Sequence, residues 1–110
     1  MPKPPVPLLQ GSLDLLVLGA LGSGATHGYG VATLVRERSA GALAIEDAAL
    51  YQALHRLERK GLVAAEWGLS GNNRRARFYE LTAEGRKRLR AEAASWRRYA
   101  QAVAAVIESA

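Results

Sequence analysis

Few residues in this chain could carry out covalent chemistry. Histidine occurs twice, at His27 and His55, and cysteine does not occur in the 110 residues. The two histidines fall in different segments, and neither belongs to a ligand spacing such as H-E-x-x-H, so no metal site is expected. No Ser-His-Asp order stands out, and the chain is small for a triad with its supporting shell. Glycines at 19, 22, 24, 28 and 30 invite a phosphate-loop reading. They fail it: His27 stands where the last glycine of G-x-G-x-x-G would be, and no Walker lysine follows. His27 reads better as a helix-start or packing residue than as a general base, which would need a partner. No catalytic residue and no cofactor are expected, and the chain is read as not an enzyme. With no cysteine there is no disulfide framework and no thiolate nucleophile, which suits a reducing cytosol.

Positive charge is the chemistry that is abundant. Lys and Arg number 15 against 10 Asp and Glu, a formal net charge of +5. The excess is localised. Between Gln52 and Arg90 ten basic residues face four acids, giving that segment +6 and the rest of the chain −1. A charge run is usually a solvated face. This one is assembled from three consecutive elements, as a polyanion-binding surface would be.

At 110 residues one domain is expected, and 49% hydrophobic residues suffice for a modest core. Residues 1–10 form a Pro-rich lead that cannot be helical. Lys3, the apolar run Leu15 to Leu21 and the small residues Gly22 to Ala25 have some of the order of a secretory signal. Four prolines in the first seven residues and Asp14 at the edge of the run speak against one, and removing the run would strip the first helix from the core. A cytoplasmic protein is therefore expected. No apolar stretch reaches the roughly 18–20 residues of a membrane span.

After Ser12, a plausible N-cap, Leu13, Leu15, Leu16, Val17, Leu18, Ala20 and Leu21 read as a short buried helix ending at Gly22-Ser23-Gly24. A second helix follows Thr26, with Val31, Leu34 and Val35 inward, and Gly41 closes it. The third runs from about Asp47 to Lys60, with Leu50, Leu54 and Leu57 inward and Gly61 as its stop. Its acids lie first and its bases last, as the helix dipole prefers. Periodicity then changes to alternation. Val63, Ala65, Trp67 and Leu69 share one face of a half-buried strand, and Ser70-Gly71-Asn72-Asn73 makes the turn. Arg77 to Leu81 returns as the second strand of a hairpin. The fold expected is mainly α with a small β-hairpin: a winged helix-turn-helix over residues 11–82.

Residues 83–110 continue as one helix capped by Thr82, about 26 residues and so about 39 Å long. Leu89, Ala93, Trp96, Ala100, Val103 and Ile107 step by 4, 3, 4, 3, 4, a heptad seam. Either this helix packs back on its own domain, or it pairs with a second copy. The second reading is preferred, because no later segment remains to cover it.

With the third helix's leucines inward, Ala48, Gln52, His55 and Arg59 point outward, flanked by Ala49 and Arg56. Small residues near its start would let the helix sit deep in a major groove, and Gln52 can pair bidentately with adenine, though an ordinary exposed glutamine fits as well. Arg56 and Arg59 can reach phosphates or guanine edges. Asn73, Arg74, Arg75 and Arg77 form the wing, suited to phosphates or a narrow minor groove.

Several runs resemble the PadR-like transcriptional regulators: Leu8-Leu9-Gln10-Gly11-Ser12-Leu13-Asp14, His27-Gly28-Tyr29-Gly30, and Leu50-Tyr51-Gln52-Ala53-Leu54-His55-Arg56-Leu57-Glu58. Gly61-Leu62-Val63 and the run from Asn72 to Arg86 belong to the same resemblance, which extends over residues 8 to about 90. It implies a homodimeric winged helix that binds double-stranded operator DNA, usually as a repressor, with the C-terminal helix making much of the dimer contact. It also places Tyr51 and the wing bases at DNA-contacting positions. One departure is Asp47-Ala48-Ala49, where relatives often carry Ser, Gly or Thr; a hydroxyl contact is lost, and Asp47 would repel a close phosphate. Some relatives respond to aromatic ligands, so Trp96 could wall an interfacial pocket for a small aromatic effector. The simpler role for Trp96 is to fill the dimer core. A reading from another class also fits: a winged-helix protein–protein module that holds a partner on its seam and never reads DNA.

Overall fold

Apolar periodicity decides where the core forms. The computed structural model describes residues 5–109. They run as α1 (Leu13–Leu21), β1 (Thr26–His27), α2 (Gly28–Arg38), α3 (Asp47–Arg59), β2 (Val63–Leu69), β3 (Arg75–Leu81) and α4 (Ala83–Glu108). This is a winged helix-turn-helix followed by one long helix. The core gathers Val17, Leu18 and Leu21 of α1, Val31 and Val35 of α2, Leu50, Leu54 and Leu57 of α3, and Val63, Tyr79 and Leu81 of the sheet, all buried. The leucine stripe of α3 faces inward as its spacing predicts, with Ala53 added to it.

The sheet differs from the expected hairpin. It has three strands in the order β1-β3-β2, all antiparallel, with Thr26 opposite Tyr79 and His27 opposite Phe78. A two-residue strand has no period to read, and β1 exists because the outer edge of β3 offers it a partner. The second helix consequently starts later than Thr26. His27 is its N-cap, in extended geometry, and its Nδ1 accepts a hydrogen bond from the Gly30 amide at 3.0 Å. A Cβ on Gly30 would stand 2.0 Å from Thr26 Oγ1, so this tight strand-to-helix corner needs glycine there.

Helix ends are closed by backbone geometry. Gly61, at φ +76°, donates to Glu58 O while the Leu62 amide donates to Leu57 O, a complete Schellman motif ending α3. At the end of α2 Ala40 (φ 52°) and Gly41 (φ 82°) are both left-handed; the Ala40 amide donates to Glu37 O and the Gly41 amide to Arg36 O, a Schellman motif that puts alanine where glycine is favoured. Ser12 does not cap α1 with its side chain; its hydroxyl donates back to Leu9 O at 2.7 Å.

Thr82 caps α4 as expected, accepting from the Gly85 amide at 3.0 Å. The same hydroxyl donates to Gly61 O at 2.7 Å, joining the start of α4 to the end of α3. From there α4 leans on α1 through Leu89 and Ala93 and then leaves the domain. Beyond them the seam is bare: Trp96 is 40% exposed and Ile107 66%, with Ala100 and Val103 exposed between them. Tyr99 and Val106, which the heptad count omits, are exposed as well.

Candidate nucleic-acid interface

Burial of the leucine stripe turns the opposite face of α3 to solvent. Ala48, Gln52, His55 and Arg59 are exposed there, and Ala49 is half-buried. Tyr51 sits between the two faces, 43% exposed. Its ring lies on the backbone of Gly28, where a Cβ would come within 2.7 Å of the Tyr51 hydroxyl oxygen. This contact explains why glycine opens α2.

The wing turn is closed by Ser70, whose amide donates to Arg74 O at 2.8 Å, and by the Asn73 amide, which donates to Ser70 O at 2.9 Å. Asn73 takes a left-handed conformation (φ 61°), which asparagine tolerates. Arg74 and Arg75 follow, exposed and without an acidic partner among the described residues.

Two of the arginines expected to reach DNA pair with acids of the protein itself, each keeping over a third of its side chain exposed. Arg56 forms a two-pronged pair with Asp14 of α1, Nη2 to Oδ1 at 2.5 Å and Nε to Oδ2 at 3.3 Å. That hydrogen bond holds the Arg56 guanidinium above its ordinary pKa, against the opposing effect of burial. Arg77 donates to Glu58 Oε2 at 2.9 Å, tying the wing to α3. No acid adjoins Arg77 on the wing itself; the one that binds it arrives through the tertiary fold. Beneath it, burial pushes the Tyr79 phenol up, with Arg77 drawing it partly back.

Strand alternation holds, but the shared face is buried only at its inner half. Trp67 is 58% exposed and Leu69 is exposed too, because the wing extends past the core. Register puts Trp67 opposite Arg77 and Leu69 opposite Arg75, so all four lie on one face. The Arg75 guanidinium carbon stands 4.7 Å from the Trp67 ring centre. Across a cleft of about 750 Å³ this face looks toward Tyr51 and Tyr29, the latter 71% exposed at the start of α2. Tyr29 and Trp67 were absent from the sequence-based set. The hairpin register alone would have put Trp67 on the arginine face.

A second concavity, an apolar groove of about 580 Å³, lies between the N-terminal lead, α1, α2 and α4. Leu15, Leu34, Leu89 and Trp96 line it, with Arg38 and Arg97 at its polar margin. Among the described residues no cluster of three metal-ligating side chains occurs. No helix among them is long and apolar enough to cross a membrane.

The model of the family described as "Transcriptional regulator PadR-like family" matches residues 17–91. A PadR family transcriptional regulator of Eggerthella lenta is similar at 31% identity and TM-score 0.76, over 92% of this chain and 86% of that one. A PadR family transcription regulator of Clostridium difficile shares 28% identity at TM-score 0.77, over 88% and 99% of the two chains. Bacillus subtilis PadR, solved in complex with operator DNA, shares the fold at TM-score 0.63 and 23% identity, over 71% of this chain and 44% of that one. The chain belongs to the PadR-like family of transcriptional regulators.

Proposed function

We propose that the protein acts as a homodimer that binds double-stranded DNA sequence-specifically and represses transcription in the cytoplasm. The observation that carries this reading is the cleft in which Tyr51 of α3 meets the acid-free arginines of the wing. In that arrangement the exposed face of α3 enters a major groove, with Gln52 reading a base edge and Ala48 and Ala49 allowing close approach. Arg59 stands further along the same face, and Asn73, Arg74 and Arg75 follow the backbone or the adjacent minor groove. Arg56 and Arg77 act indirectly, fixing α3 to α1 and the wing to α3.

Dimerisation uses the bare seam of α4, with Trp96 against its symmetry mate. Two-fold symmetry then predicts an inverted repeat with half-sites about 10 bp apart. Selection from a random duplex pool tests this: the expected product is such a repeat, and Gln52→Ala should relax preference at one position in each half-site. A pool that never enriches, together with association unaffected by salt, would instead favour a protein-binding module.

A further inference from the structure

We propose that Trp67 is the positioning residue of the wing: its indole holds Arg75 at the rim of the cleft, edge outward, to receive a phosphodiester strand of duplex DNA passing over Tyr29 and Tyr51. The proposal rests on the DNA-binding reading above and adds to it the device that presents the charge.

Trp67 is the largest side chain on the wing and has more than half its surface in solvent. Its companion is Arg75, 4.7 Å from the ring centre. A guanidinium stacked by its face keeps its N–H edge free, and that edge matches the geometry of phosphate oxygens. Stacking also removes side-chain freedom before DNA arrives, so less is lost on binding. The mounting is firm, because Arg74 O, one residue earlier, accepts from the Ser70 amide at 2.8 Å and closes the turn. Arg77 cannot take this role while Glu58 holds it. The opposite wall carries the tyrosines at 29 and 51. A cleft with positive charge on one wall and tyrosines on the other complements a phosphodiester strand.

The test is titration of random-sequence duplex DNA at fixed low salt onto the full chain and its variants, with folding followed by circular dichroism. Trp67→Leu should weaken binding about two- to fivefold, Trp67→Phe should recover most of the loss, and Trp67→Leu should add nothing to Arg75→Ala. Equal affinity of wild type and Trp67→Leu would overturn the proposal, as would additive losses in the double variant. Should Trp67→Leu not fold, Arg75→Lys keeps the charge and loses the planar stack; it should weaken binding similarly, and unchanged affinity would overturn the proposal. A wild type that ignores duplex DNA overturns the DNA-binding reading as well. Loss on Arg74→Ala with none on Trp67→Leu overturns the positioning role alone.

Discussion

Tyr51 on Gly28 is the contact in which fold and proposed function are hardest to separate. A methyl at position 28 would overlap the ring at 2.7–2.8 Å, and the ring, being partly exposed, can swing away. Gly28→Ala should therefore cost the fold less than about 1 kcal/mol, since alanine also favours the helix. DNA affinity should nevertheless fall toward that of Tyr51→Ala. Urea melts and duplex titration check the two halves, and a variant with wild-type affinity would remove Tyr51 from the interface. At this scale the sequence was legible where a residue's exposure follows from its own helix face, as with Gln52 and Arg59. It was not legible for Arg56 and Arg77, whose acids, Asp14 and Glu58, lie 42 and 19 residues away. Pairings of that range are made by the tertiary fold and leave no local pattern.

Among the elements, the corners are more informative than the helices. Ala40 holds a left-handed conformation that costs an alanine roughly 1 kcal/mol, so Ala40→Gly should raise the unfolding free energy by about that amount. A destabilised Ala40→Gly variant in denaturant melts would contradict the Schellman reading of this corner. Gly85 is the opposite case. A Cβ there would lie 1.9 Å from the Leu62 carbonyl oxygen, a backbone atom that cannot swing aside. Gly85→Ala should cost about 3 kcal/mol or more by forcing the start of α4 away from α3. A melting midpoint near that of wild type would show that this corner gives more easily. Periodicity made the long elements legible: the leucine stripe and the strand alternation lie where the spacing puts them, while the α4 seam divides between Leu89 and Ala93 beside α1 and an exposed remainder. It missed β1, which is too short to have a period, and it overstated burial on β2, because alternation marks a shared face but not how far the core extends beneath it.

Across the whole molecule, the largest unbalanced feature is α4. Its first turns rest on α1 and its last ones carry Val103, Val106 and Ile107 into solvent. Covering that seam with a second copy predicts a solution mass near twice 11.8 kDa. Val103→Glu with Ile107→Glu should yield a folded monomer, because a carboxylate buried in an apolar seam finds no partner. Light scattering and circular dichroism distinguish that outcome from unfolding, and an unchanged dimer would move the interface elsewhere. The order of elements and the basic balance of the segment from Gln52 to Arg90 were legible in the sequence. How the cleft closes between α2 and the wing was not, since it depends on where three separate elements meet.

The most direct measurement is the salt dependence of binding to duplex DNA, for the wild type and for Arg74→Ala/Arg75→Ala. A dimer making about six to ten phosphate contacts should show log affinity falling against log salt with a slope of about −5 to −9. The double variant should lose about four contacts per dimer and flatten that slope by about 3 to 4. A wild type whose association with DNA is absent or indifferent to salt, or a slope untouched by removing both arginines, would contradict the account.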